Sequence, residues 1–310
     1  TGTNLTYQWW SNTTYSAVSP PTGGAPTGVT TSTYTPPSAV AGTRYYYVIV
    51  SNLGCTSVRS TNYTLAYTVN PLSVGGSIAG SASVCAGTNS TTLTLSGHTG
   101  SVTQWQSSPV SDFSSSVTDI ANTTANLTAT NLMTTTYFRA VVASGVCAPV
   151  ISTVATITVS PISVGGSITG PTSVCSTTNS STLTLSGHVG TIVQWQSSPV
   201  SDFSSGVTDV ANASTTLTIT NLTTTTYYRA VVQSSPCSIA YSLSAQLKYK
   251  TTLWDGITWD NGAPDLTTRA IFNSPYTSAG AGSGDLTACS LHVLSGAVVT
   301  VTSGDTFTIL

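Results

Sequence analysis

Glutamate is absent from this 310-residue chain, and charge of either sign is scarce: seven Lys and Arg stand against nine acids, all of them Asp, and charged residues make up 5% of the sequence. An ordinary globular protein carries about a quarter. So few cations form no basic patch that could neutralise phosphates, which excludes nucleic-acid binding. No apolar run reaches the ~18–20 residues of a membrane-spanning helix. Helical periodicity is missing as well, since no ten-residue stretch repeats apolar residues at i, i+3 and i+4. There is no GxSxG, HExxH or P-loop. No leader pattern is visible, and the chain reads as an internal fragment of a larger protein. The surface must therefore be built from Thr, Ser, Asn and Gln.

What is present is a duplication. Residues 71–160 begin PLSVGGSIAG and residues 161–250 begin PISVGGSITG; 56 of the 90 aligned positions are identical, without insertion or deletion. Shared runs include SVC, TLTLSGH, QWQSSPVSDFSS and the Tyr-x-Arg-Ala-Val-Val segment. A catalyst needs one site, and copying a whole domain does not make one. Tandem copies make length, or many equal sites.

Within a copy, short stretches of alternating apolar and hydroxyl residues are separated by Gly, Ser, Asn and Pro clusters. Strands are predicted at Gly76–Ala79, Thr92–Leu95, Val102–Gln106, Leu127–Thr130, Thr136–Ala143 and Val154–Val159. Several short strands in ninety residues predict an all-β fold of tandem immunoglobulin or fibronectin-III-like β-sandwiches. Trp105 and Trp195 stand where such a domain buries a Trp. Phe138, Ala140 and Val142, with Tyr228, Ala230 and Val232, form the expected core face, and Arg139 and Arg229 face outward. Residues 1–70 read as the later part of a more distant copy. Tyr7-Gln8-Trp9 matches the strand around Trp105, and Tyr34–Pro37, Tyr45–Val50 and Ala66–Asn70 match later strands. Residues 251–310 open a different β-rich pattern, with short runs at Ala270–Phe272, Cys289–Leu294, Val298–Val301 and Phe307–Leu310. They suit the rungs of a β-solenoid or one sheet of a sandwich, cut short at Leu310. The expected organisation is thus 1–70, 71–160, 161–250 and 251–310.

Each copy has two Cys at matching places. The expected disulfides are Cys85 with Cys147 and Cys175 with Cys237, each an end-of-domain staple within its own repeat, which implies an oxidising, extracellular compartment. The partner of Cys55 would lie upstream of Thr1, and Cys289 has no assigned state. No cofactor is implied.

Candidate sites are few, and each has a plainer alternative. His98 and His188 sit in Gly-flanked turns. Asp112 with Asp119, and Asp202 with Asp209, recur in SDFSS-x-VTD but lack the oxygen count of a Ca²⁺ loop. Asp255, Asp260 and Asp265 are spaced five apart and read as turn residues before they read as a glycosidase pair. Trp10 and the outward glutamines Gln104, Gln106, Gln194 and Gln196 are the candidate surface-binding residues. Sequons recur at Asn4, Asn12, Asn62, Asn89, Asn122, Asn126, Asn179, Asn212 and Asn221.

The VNP and VSP junctions, the GGS-x-x-G-x-x-x-VC starts and the WDG-x-TWDNGAP…AC-x-L-x-V-x-SGA-x-VTV ending carry a family resemblance. They resemble multi-repeat secreted surface proteins of Bacteroidetes, and among these the very long gliding-motility adhesins exported by the type IX secretion system. The resemblance implies a non-catalytic stalk that spaces a distal binding tip from the cell surface. Its implied partners are the secretion and gliding machinery and extracellular surfaces or glycans, with lateral self-association into filaments. Secreted carbohydrate-active enzymes of the same phylum carry similar modules. The alternative is thus an accessory or carbohydrate-binding repeat region of such an enzyme.

Overall fold

The computed structural model describes residues 4–15, 24–60, 66–176, 178–278 and 284–310, and among them there is no α-helix. Two compact units are formed. One comprises residues 1–82, 90–130 and 135–158; the other comprises 83–89, 131–134 and 159–310.

Both repeats are β-sandwiches with one strand order. In the first, Asn126–Thr130, Ser90–Ser96 and Ser77–Ala79 form a three-stranded sheet. The facing sheet runs Thr118–Ile120, Ser101–Ser108, Thr136–Ala143, Ala155–Ser160, Ala82–Cys85, with Val150–Ile151 added to Thr136–Ala143. The second repeat reproduces this with Ser167–Thr169, Ser180–Ser186 and Thr216–Thr220 on one side. Its other sheet holds Ser173–Val174, Ala245–Tyr249, Thr226–Gln233, Thr191–Ser198 and Thr208–Val210. The first strand of each repeat breaks and changes sheets, and its second half lies parallel to the last strand, as Ser173 and Val174 do beside Lys248 and Tyr249. This is the immunoglobulin and fibronectin-III order expected from the spacing.

The local cause is a period of two. In Ser90–Ser96, Leu93 and Leu95 are buried while Thr92 and Thr94 face water. Outward hydroxyls pair across strands, Thr92 with Thr128 and Thr182 with Thr218, each at 3.4 Å. Trp105 and Trp195 are fully buried between the sheets. Their indole N–H groups donate to the carbonyls of Thr124 at 2.9 Å and Ser214 at 3.0 Å, so burial leaves no polar atom unsatisfied. Around Trp195 pack Leu183, Leu185, Leu217, Tyr228, Val232 and Leu247. The GGS signature has a steric origin. A Cβ at Gly75 would lie 2.0 Å from the carbonyl oxygen of Ile151, and one at Gly165 would lie 1.9 Å from that of Tyr241. The next residue, Gly76 or Gly166, takes a φ of 75°.

Residues of the N-terminal part build a five-stranded sheet: Ala25–Pro26, Thr6–Asn12, Gly42–Ser51 and Val58–Arg59 in order, with Ala66–Val69 also on Gly42–Ser51. Trp9 pairs with Val48 as Trp105 pairs with Ala140, which supports reading this region as a distant copy. Tyr34–Pro37 is not a strand, because Pro36 and Pro37 have no N–H to give a ladder. The C-terminal part settles into parallel rungs. Thr251–Trp254, Arg269–Phe272 and Ser290–Val293 stack in register, as do Tyr276–Thr277 with Val299–Thr300, and Leu286–Ala288 with Phe307–Ile309. Three parallel stacks per turn make this a β-solenoid rather than a sandwich sheet. Its core is Trp254, Ala270, Phe272, Tyr276, Leu286 and Ala288, with Trp259 packed against it.

The disulfides correct the expected pairing. Cys85 bonds Cys237 and Cys175 bonds Cys289, with Cα separations of 4.9 and 6.2 Å; Cys147 is a free thiol, as is exposed Cys55. The reason is directional. Cys85 ends a strand that runs parallel to the last strand, so it sits at the trailing end of its repeat, where the Ala86 N–H donates to Ser160. Cys147 lies at the leading end, its Sγ 3.4 Å from the Pro71 carbonyl, and Cys237 repeats this 3.2 Å from Pro161. Two Cys at opposite ends of one sandwich cannot meet. The trailing Cys of one repeat and the leading Cys of the next lie at the same junction. Cys175 likewise meets Cys289 of the solenoid, and Ser290 Oγ donates to the Cys175 carbonyl at 3.1 Å.

Non-reducing peptide mapping should therefore yield Cys85–Cys237 and Cys175–Cys289 peptides and none joining Cys85 to Cys147. Because ion pairs are scarce, the melting midpoint should move little between low salt and ~1 M salt, where screening falls to about 3 Å. Loops this long stabilise by roughly 4–5 kcal/mol each in the chain-entropy model, so reduction should lower the midpoint markedly. Gly165→Ala should cost at least about 2 kcal/mol in denaturant titrations, because the carbonyl it meets belongs to a paired strand and cannot swing aside.

Candidate functional site

On the outward side of each larger sheet, strand pairing aligns an acid, an amide and a cation. Asp119 lies opposite Gln106, and Gln106 opposite Arg139; Asp209, Gln196 and Arg229 repeat the row. The side chains bond along it. Gln106 Nε2 donates to Asp119 at 2.8 Å, and Arg139 Nε donates to Gln106 Oε1 at 2.7 Å. In the second repeat the distances are 2.9 and 2.8 Å. Gln104 Nε2 also reaches Asp119 at 2.8 Å. Gln194 is half-buried opposite Val231. The amide acts as a relay that passes the carboxylate's polarity to a guanidinium two strands away. Both ends of Gln106 and Gln196 are thus engaged within the sheet.

A loop covers the same face. Phe113 and Phe203, in the left-handed region at φ 56°, are nearly buried. The Arg139 guanidinium lies 4.1 Å from the Phe113 ring centroid, and Arg229 lies 4.2 Å from Phe203 and 3.8 Å from Tyr241. The recurrent SDFSS motif is thereby explained. Asp112 and Asp202 accept the N–H groups of Ser114 and Ser204 at 2.9 and 3.0 Å, closing the turn that presents Phe113 and Phe203. Hydrogen bonds from those serines hold both carboxyls below the usual range.

The N-terminal sheet places its aromatics on both faces. Trp10 stacks on Tyr47 with centroids 6.2 Å apart, and the Arg59 guanidinium lies 4.5 Å from the same Tyr47 ring. Trp10 is half-buried in this stack. The neighbouring Trp9 faces the other way. It joins Tyr34, Tyr46 and Tyr67 in a row of ring contacts at 5.4–6.3 Å. An apolar cleft of about 450 Å³ opens beside them, lined by Trp9, Pro36, Tyr46, Val48, Ala66 and Tyr67. Sequence reasoning selected Trp10. Matching Trp9 to Trp105 marks the opposite face as the more aromatic one. That signal was present, but which rings gather on a face is a property of the sheet and not of the strand.

The remaining candidates are turn residues. Asp255 accepts the N–H groups of Ile257 and Thr258, and Asp260 that of Leu253. Asp265 accepts the Thr267 N–H and the hydroxyls of Thr267 and Thr268. Those bonds hold the Asp265 carboxyl down to about 2, and backbone N–H groups lower that of Asp255. A glycosidase general acid needs the opposite shift. His98 and His188 are half-buried in their turns. No group of three or more His, Cys or Asp that could hold a metal forms among the described residues. Several sequon amides are engaged: Asn89 and Asn179 donate to the carbonyls of Leu132 and Leu222, and Asn122 and Asn212 to those of Asn126 and Thr216.

Asp265 supplies a pH prediction. Its folded value of about 2 lies below the ordinary Asp value of about 3.9. Its contribution to stability is therefore complete above pH ~4 and is lost as pH falls through ~2. Carboxyl-carbon NMR should show Asp265 titrating near 2, and Asp265→Asn should remove that titration.

A comparison with curated proteins finds no match. Among solved structures, murine CEACAM1b is similar at 15% identity, with 56% of this chain and 99% of that one covered and a TM-score of 0.33. Titin domains A168–A170 give 14% identity, 67% and 75% coverage, and 0.36. The chicken CNTN1 FN1–FN3 domains give 12% identity, 79% and 90% coverage, and 0.27. One family matches over more than half of the chain, once per sandwich, at residues 74–161 and 164–251. The chain belongs to that family, described as "Domain of unknown function (DUF8696)".

Proposed function

We propose that this chain is a non-catalytic structural segment of a long extracellular bacterial surface protein, a spacer between the cell and a distal binding part. The observation that carries the reading is a pair of bridges between consecutive domains: one disulfide joins repeat to repeat and another joins repeat to solenoid. Joined copies of one sandwich add length. An oxidising setting follows from the bridges, which supports an extracellular location. The outward glutamines and arginines spend their hydrogen bonds on one another, which favours a self-contained surface over an array of ligand sites. The partners proposed are the type IX secretion and gliding machinery and extracellular surfaces or glycans. A net charge of −2 lets neighbouring copies lie side by side in filaments.

Displayed on a cell with a terminal fluorescent tag, versions carrying one, two and three copies of the ninety-residue repeat should raise the tag in equal steps. A glycan array probed with the 310-residue chain should show no saturable binding. Equal tag heights would overturn the spacer. Saccharide binding abolished by Gln106→Ala and Gln196→Ala would replace it with a carbohydrate-binding array.

A further inference from the structure

The two bridges overlap in sequence. Cys85 and Cys237 are separated by 152 residues and Cys175 and Cys289 by 114, and the second loop starts inside the first and ends beyond it. Within-repeat pairing would have closed two separate loops. Overlap changes which covalent path becomes taut when the chain is pulled from its ends. Tension arriving from the N-terminal side reaches Cys85 and crosses to Cys237. It then continues along the chain toward Cys289, which is shorter than returning through Cys175. Residues between Cys175 and Cys237, with most of the second repeat's strands, are slack, and those between Cys85 and Cys175 form a second slack branch. That branch holds the strands Ser90–Ser96, Ser101–Ser108, Asn126–Thr130, Thr136–Ala143 and Ala155–Ser160, most of the first sandwich.

We propose that the overlapping disulfides Cys85–Cys237 and Cys175–Cys289 make this chain a tension-limiting element, which keeps most strands of both sandwiches off the force path and stores their length until the bridges are reduced. The mechanical use rests on the spacer reading; the wiring does not. The two bridges are not equivalent. Cys85–Cys237 alone sets the taut length. Cys175–Cys289 is a reserve: if the first bridge breaks, tension passes from Cys85 through the first repeat to Cys175 and across to Cys289, so the second repeat's strands remain shielded. The device therefore yields in stages rather than at once.

Single-molecule force-clamp extension of the complete 310-residue chain, tethered at its ends, tests this. A phosphine reductant supplies the two electrons that each bridge takes up with two protons, and is itself oxidised to the phosphine oxide. Without reductant, the unfolded chain should stop short of full length. At a backbone reach of about 3.5 Å per residue, reduction should then release about 500 Å in total. Cys175→Ser/Cys289→Ser should leave the oxidised length unchanged. Cys85→Ser/Cys237→Ser should lengthen it, and reduction of the remaining bridge should add about 400 Å. Full extension without reductant, or two equal releases of about 200 Å as within-repeat pairs would give, would overturn the proposal. If the variants do not fold, the released length of the unmodified chain and its non-reducing peptide map decide between the two wirings. Failure here leaves the tag-height steps of the spacer test untouched, so the two readings fall separately.

Discussion

Trp105 and Trp195 are fully buried with their indole N–H groups satisfied, and that is possible only between two sheets whose inner faces are apolar at every second residue. Burying such a ring is the largest single stabilising step open to a chain with so few charges. The other features of each repeat follow from it. Thr and Ser must occupy the outer positions of the same strands. Glycines must stand just before the first strand, since Gly75 and Gly165 approach a backbone carbonyl too closely for any Cβ. The loop carrying Phe113 or Phe203 must fold over the outer face, where an Arg waits to stack on it.

The polar surface follows a related logic. Where an ordinary protein spreads many separate ion pairs, each repeat carries one acid–amide–cation row, in register across three strands. The glutamine amide can donate and accept at once, so it joins a carboxylate to a guanidinium that could not touch directly. The same residues looked like binding groups in the sequence because they flank a Trp and point outward. Orientation was read correctly, but the neighbours that occupy them come from strands thirteen and thirty-three residues away.

The junctions show how a duplicated unit becomes a continuous one. A Cys near each repeat's start is carried by the crossing strand to the far end of the sandwich, while the later Cys stays at the near end. In tandem, the Cys carried to the far end of one repeat bonds the later Cys of the next. A pair that cannot close within a domain then closes between domains without a special linker sequence.

Much was determined by the sequence alone. The period of two, the ninety-residue duplication and the placement of Trp105 and Trp195 establish tandem sandwiches and their core, because burial on a strand depends only on parity. The change of pattern after Lys250 marks a different β architecture. Tertiary structure decided the rest. The runs after residue 250 suit a sandwich sheet or a solenoid, and only parallel pairing, such as Thr252 with Ala270 and Ala270 with Leu291, selects the solenoid. The partner of Cys85 depends on which end of a sandwich a strand delivers it to, and the freedom of Gln106 depends on what two neighbouring strands set beside it. Sequence records which residues share a face; distance between strands is fixed only when the sheets close.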